Sequence, residues 1–249
     1  MFSVGDRNRI RDRVLQLAAS DARVVAGAAV GSLAHEEGDH WSDLDLTFAV
    51  ADNVPILDVL EDWTRSLVEE FDAAHLFDLP SGASLYRVFL LPDCLQFDLS
   101  FTPASRFGAS GPKFKLLFGS CVEKPFVQPP PAHELFGYAA HHALRARFCI
   151  ERGRYWHAEY WISGARDYAL SLACRRRGLP AYHGRGFDDL PPDVRALFLG
   201  ALVTSLERDE LLRALGCAIE GLLHEADEVR DLATKVEPQL HMLTAAWDS

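Results

Sequence analysis

Four of the seven residues in Pro125-Phe-Val-Gln-Pro-Pro-Pro131 are proline. Proline fixes φ and removes a backbone donor, so this stretch can be neither a helix interior nor a central strand. It divides the chain, and the two halves carry different hydrophobic periods. The sequence therefore predicts a first domain over 1–124, a stiff linker over 125–132 and a second domain over 133–249.

Ahead of the prolines, helical and strand patterns alternate. Residues 6–19 carry Ile10, Val14, Leu15 and Leu17 at helical spacing, and 55–71 is amphipathic with Pro55 at its start. Arg23 to Val30 is a short run rich in valine and alanine, which predicts a buried strand. Asp43 to Val50 alternates strictly, with Asp43, Asp45 and Thr47 on one face and Leu44, Leu46, Phe48 and Val50 on the other. Cys94 to Phe101 alternates likewise, placing Gln96, Asp98 and Ser100 opposite Leu95, Phe97, Leu99 and Phe101. Leu85 to Leu91 predicts a further strand, joined to it by a hairpin at Pro92-Asp93. After the prolines the pattern is helical throughout, over about 133–152, 155–177, 191–206, 208–228 and 229–247, with glycine and proline at the breaks. The expected fold is thus an α/β domain, a mixed sheet flanked by helices, followed by an all-α helical bundle.

Composition narrows the class. With 49% hydrophobic and 24% charged residues, the chain can bury a core. Acids (36) outnumber bases (25), for a net charge of −11, which disfavours a general nucleic-acid coat. The five cysteines are scattered without a Cys-x-x-Cys pair, so neither a disulfide framework nor a zinc knuckle is expected. The N-terminus turns charged within six residues and no long uncharged apolar run occurs. These features predict a soluble cytoplasmic protein with no membrane partner.

The chemistry is concentrated in Val24 to Val50. A strand ends at Val30 and Gly31-Ser32 follows, with one or two helical turns expected over Leu33 to Glu37. Gly31 lets backbone approach a ligand, Ser32 can cap a helical turn, and free N–H groups at such a turn can hold phosphate. Asp43 and Asp45, two residues apart on a strand, leave the same face. Asp98 occupies the polar face of another strand, so neighbouring strands would bring three carboxylates together. Two carboxylates at about 4 Å repel by roughly 4 kcal/mol at an effective dielectric of ~20. A fold that clusters them needs a cation, and hard oxygen donors beside phosphate suit Mg²⁺.

A hydrophobic strand, Gly31-Ser32, then Ser-Asp43-Leu-Asp45-Leu and a later Phe-Asp98-Leu-Ser-Phe strand resemble the nucleotidyltransferase (polymerase β-like) superfamily over roughly residues 20–102. The halves together resemble antibiotic nucleotidyltransferases with an appended helical domain. The resemblance implies a Mg²⁺-dependent enzyme that transfers NMP, AMP in particular, from an NTP such as ATP to a hydroxyl of a small acceptor, antibiotics included. It assigns metal binding to Asp43, Asp45 and Asp98, with Asp98 either ligand or base, and phosphate binding to Gly31 and Ser32. It also implies a base from the helical domain. Glu159, flanked by Trp156, Tyr160 and Trp161 in a setting expected to be partly dry, is the first candidate, ahead of Glu151.

Two alternatives accompany this reading: nucleotidyl transfer to protein or RNA, and a non-catalytic nucleotide-binding, antitoxin-like module. The first draws on an arginine excess over 145–185, which could also hold triphosphate, as could Lys113 and Lys115. A complete carboxylate triad argues against the second. Arg177 and His183 match the Arg-x5-His spacing of HEPN-type ribonucleases, but Gly178 and Pro180 interrupt it, which disfavours that chemistry.

Overall fold

The structure, a computed structural model, describes residues 1–35 and 38–245. The chain folds as two compact units, Met1–Val127 and Gln128–Ser249. The division falls inside the proline-rich stretch, and 120–131 holds neither helix nor strand.

The first unit is built on a six-stranded sheet of order β3-β4-β5-β2-β1-β6. Its strands are β1 (Val24–Val30), β2 (Leu44–Val50), β3 (Ala74–Ser81), β4 (Ser84–Leu91), β5 (Leu95–Pro103) and β6 (Phe114–Phe118). Only β2 and β5 pair in parallel, so the sheet is mixed. Helices α1 (Val4–Ser20) and α2 (Ile56–Phe71) belong to the same unit. Leu44, Leu46, Phe48, Phe97, Leu99 and Phe101 share a core with Ile10 and Val14 of α1 and Trp63 and Leu67 of α2. Full burial of side chains of this size contributes about 1.5–3 kcal/mol each. With that face covered, the alternation leaves Asp45, Thr47, Asp98 and Ser100 on the other.

The outermost strands, β3 and β6, were not expected from the sequence. All eight residues of β3 are exposed and one is Pro80, so no alternation of burial marks it. Its existence depends on backbone pairing with β4, as an edge strand allows. Arg87 of β4 anchors it, donating from Nε and Nη2 to the Asp78 carboxylate at 2.7 and 2.6 Å and from Nη1 to Thr64 on α2 at 2.8 Å. The strand expected from Asp43 begins one residue later, at Leu44.

The second unit is helical: α3 (Ala132–Glu151), α4 (Tyr155–Arg176), α5 (Pro192–Leu199), α6 (Arg208–His224) and α7 (Arg230–Met242). Ala139, Ala143 and Ala146 of α3 and Ala158, Ile162, Ala165 and Ala169 of α4 recur at helical spacing and are buried with Leu211, Leu215 and Ile219 of α6. Small residues at such positions let helix axes approach closely. Three helices stop earlier than the periodicity suggests. Helix α5 ends at Leu199 instead of about 206, because Arg213 draws the carbonyls of Gly200 (2.6 Å) and Leu202 (3.1 Å) away from helical pairing. Helix α6 ends at His224 instead of about 228, where the Glu225 side chain turns inward and a short 3-10 turn, Ala226–Val229, follows. The last helix, expected to run to 247, ends at Met242; 243–245 are not helical, and 246–247 lie outside the described residues. Among the described residues, no helix is long and apolar enough to cross a membrane.

Candidate metal and phosphate site

Strand β1 runs into a 3-10 turn, Gly31–His35, and Glu36 and Glu37 of the helical turns expected there lie outside the described residues. Gly31 has φ +68°, a left-handed conformation that favours glycine, and its N–H donates to the Lys113 carbonyl at 3.3 Å. A Cβ at Gly31 would stand 2.4 Å from Asp45 Oδ2, closer than the atoms can approach. Glycine here is what lets the turn and the carboxylate lie against each other. Gly31→Ala combines backbone strain with that clash. We expect it to lower Mn²⁺ affinity and any turnover at least tenfold, measured by titration calorimetry on a variant with unchanged circular dichroism.

Asp43, Asp45 and Asp98 offer carboxylate oxygens that all lie within 4.8 Å of one another, each residue being half-buried. The register explains the meeting. Asp45 pairs with Asp98 across the parallel β2–β5 ladder, so their side chains stand on one face of adjacent strands. Asp43 precedes the first residue of β2 and approaches from the loop. Burial pushes the Asp98 carboxyl above its usual value; Gln96 Nε2, donating to Oδ1 at 2.9 Å, opposes this, and the Asp43 charge adds to the rise. Three hard oxygen donors at this spacing, mutually repulsive and open to solvent on one side, fit a small divalent cation such as Mg²⁺.

The next row along the same face is made of hydroxyls. Ser100 Oγ donates to Thr47 Oγ1 at 2.8 Å, and Tyr86 of β4 pairs opposite Ser100. Burial pushes the Tyr86 phenol up, a Ser100 hydrogen bond opposes it, and the charges of Asp45 and Asp98 raise it further. Tyr86 thus belongs to the surroundings of the carboxylates. The sequence predicts a strand over Leu85 to Leu91 but does not single out Tyr86; the β4–β5 register shows what it stands beside.

Other expected participants are placed differently. The Lys113 carbonyl accepts from Gly31, whereas Lys115 pairs opposite Ala29, on the sheet face of Leu46 and not that of the carboxylates. In the second unit, Glu159 accepts from Ser163 Oγ at 2.7 Å and lines a cleft of about 680 Å³ with His142, Asp167, Tyr168 and Tyr182. The dry aromatic setting expected around it is met only in part: Trp161 packs half-buried on the core, whereas Trp156 is 79% and Tyr160 63% exposed, because neighbouring positions turn outward around the helix. Glu151 is held between Arg147 and Arg208, at 2.8 Å from each. The arginine excess is likewise largely engaged within the unit. Arg175 pairs with Glu228, Arg176 with Glu225 and Asp227, Arg177 with Glu225, and Arg166 with Asp167. These pairs tie Arg177 of the Arg-x5-His spacing into a structural ion pair.

No family model matches the chain, and no curated protein matches it. Among solved structures, the chain is similar to an aminoglycoside 6-adenyltransferase from Bacillus subtilis, with 11% identity, a TM-score of 0.42, and coverage of 96% of this chain and 99% of that one. A likeness of that size bears on neither activity nor substrate.

Proposed function

We propose that the protein is a Mg²⁺-dependent nucleotidyltransferase that moves NMP, AMP foremost, from an NTP to a hydroxyl of a small acceptor. The observation that carries this reading is the convergence of Asp43, Asp45 and Asp98 beside the Gly31 turn. Asp43 and Asp45 hold the metal. Asp98 completes the site, as a third ligand or as the group that takes the acceptor's proton. When bound, Mg²⁺ offsets phosphate charge and makes a hydroxyl more acidic. With the Gly31 N–H committed to the Lys113 carbonyl, the N–H groups of the turn from Ser32 onward are those we propose for the phosphates. The acceptor oxygen forms a bond to the α-phosphorus, the α–β phosphoanhydride bond breaks, pyrophosphate leaves, and the proton passes to a carboxylate. Within the helical unit, Glu159, oriented by Ser163, is the residue we propose as the base that the resemblance implies for that unit.

A net charge of −11 favours a neutral or cationic small acceptor over RNA. The test is pyrophosphate release from each of the four NTPs with Mg²⁺, against aminoglycosides, lincosamides and tRNA, with products read by mass spectrometry. We expect release that needs Mg²⁺ and a small hydroxylated acceptor, and an added nucleotide mass on that acceptor. Mass added to RNA or protein instead would move the reading to macromolecular transfer. Absence of both NTP–Mg²⁺ binding and release across the panel would reject transfer.

A further inference from the structure

Asp43 lies outside the β2 ladder, so the strand that fixes Asp45 does not fix its neighbour. Its backbone is delivered by the turn over 39–42. The Asp39 carboxylate accepts from the Trp41 N–H (2.9 Å) and from Ser42 Oγ (2.9 Å), and Ser42 Oγ accepts from the Asp39 N–H (3.0 Å). A side chain distant in sequence reaches the backbone of this turn by hydrogen bonds. Arg7 of α1, only 3% exposed, donates from Nη1 to the carbonyls of Asp39 and Ser42, at 2.7 Å each. The Ser42 carbonyl belongs to the same rigid peptide unit as the Asp43 N–H, so holding that oxygen fixes the plane from which Asp43 departs. The helix is itself secured one turn earlier by a reciprocal cap between Ser3 and Asp6.

Burying a guanidinium is costly, and Arg7 Nε is buried without a hydrogen-bond partner among the described residues. A residue serving only to fill the core would be apolar. Nη1 does what an apolar side chain cannot: it grips two carbonyls of the segment that carries a carboxylate of the site.

We infer that Arg7 is a positioning residue for the metal site, setting the Asp43 carboxylate through the Asp39–Ser42 turn. The inference rests on the reading of Asp43, Asp45 and Asp98 as metal ligands. Groups that orient a ligand typically change metal affinity 10- to 100-fold when removed.

The experiment is a Mn²⁺ titration of the full chain without nucleotide, following free Mn²⁺ by electron paramagnetic resonance. Wild type is compared with Arg7→Met, Arg7→Lys and Asp39→Ala. Arg13→Met, which removes the exposed Arg13–Glu70 pair, is the control. We expect Arg7→Met and Asp39→Ala to weaken Mn²⁺ binding about tenfold or more and Arg13→Met to leave it unchanged. Arg7→Lys should recover most of the affinity, because one ammonium nitrogen can donate to both carbonyls. If Arg7→Met does not fold, Asp39→Ala, in an exposed turn, decides the matter. Wild-type affinity in Arg7→Met, or in Asp39→Ala where Arg7→Met is unfolded, overturns the role of Arg7 while leaving the carboxylate site standing. A lysine variant as weak as the methionine one overturns it also. A wild-type chain that takes up no Mn²⁺ removes the metal reading itself, and the positioning role with it.

Discussion

Asp43→Asn is expected to reduce pyrophosphate release by about 10³-fold or more, about 4 kcal/mol of barrier, while far-UV circular dichroism and the thermal midpoint stay close to wild type. The asparagine keeps the shape of the side chain and removes one negative charge from three carboxylates whose oxygens lie within 4.8 Å of one another. Relief of repulsion leaves the fold no worse off without metal, and the lost ligand weakens the cation on which transfer depends. The two effects have opposite signs, so one preparation separates them: the metal-free variant melts no lower than wild type, and its Mg²⁺-dependent gain in melting temperature shrinks. Turnover at the wild-type rate in this variant would end the metal role of Asp43 and with it the proposed function.

The second large effect concerns stability. Glu225 is fully buried at the end of α6, accepting from Arg177 at 2.6 and 3.1 Å and from Arg176 at 3.4 Å, with His224 Nδ1 at 3.1 Å. Burial by itself would push its carboxyl up. The Arg177 hydrogen bonds, that of His224 and the two arginine charges outweigh it and hold the carboxyl below its usual value of 4.5. Glu225→Gln keeps the volume and takes the carboxylate from Arg177, while Arg176 keeps Asp227; with Arg177 partly exposed, the loss is about 2–3 kcal/mol, below that of a fully buried pair. For a chain of this size that is a fall in melting temperature on the order of 10 °C. The pH dependence follows from the depressed value. The carboxylate's contribution is fully present above the unfolded value near 4.5 and is lost as pH falls through the lower folded one. The gap between wild type and Glu225→Gln in chemical denaturation should therefore be widest at neutral pH, begin to narrow as pH falls below 4.5 and close only as it passes through the lower folded value.

Much of the first unit could be read from period-2 alternation. Leu44, Leu46, Phe48 and Leu95, Phe97, Leu99 announced two strands and the face each buries, and thereby the face on which Asp45 and Asp98 stand. Strands β3 and β6 gave no such signal, because an edge strand is held by main-chain hydrogen bonds that any residue can make. In the helical unit, period located the helices but not their ends, since Arg213 and Glu225 reach their partners through tertiary contacts.

The acidic constellation divides along the same line. Residue types and spacing determined that Asp45 leaves the polar face of its strand beyond a glycine turn, because side-chain direction on a strand is a local property; Asp43, just ahead of the strand, takes its place from the loop. That Asp98 joins them, that Gly31 must lack a Cβ, that Tyr86 borders the site and that Arg7 holds the turn ahead of Asp43 were decided by the fold. Each depends on which strand pairs with which, in what register, and on what a helix some 35 residues away in sequence buries against a loop. The same local pattern is compatible with many such pairings, and only the packed chain selects one.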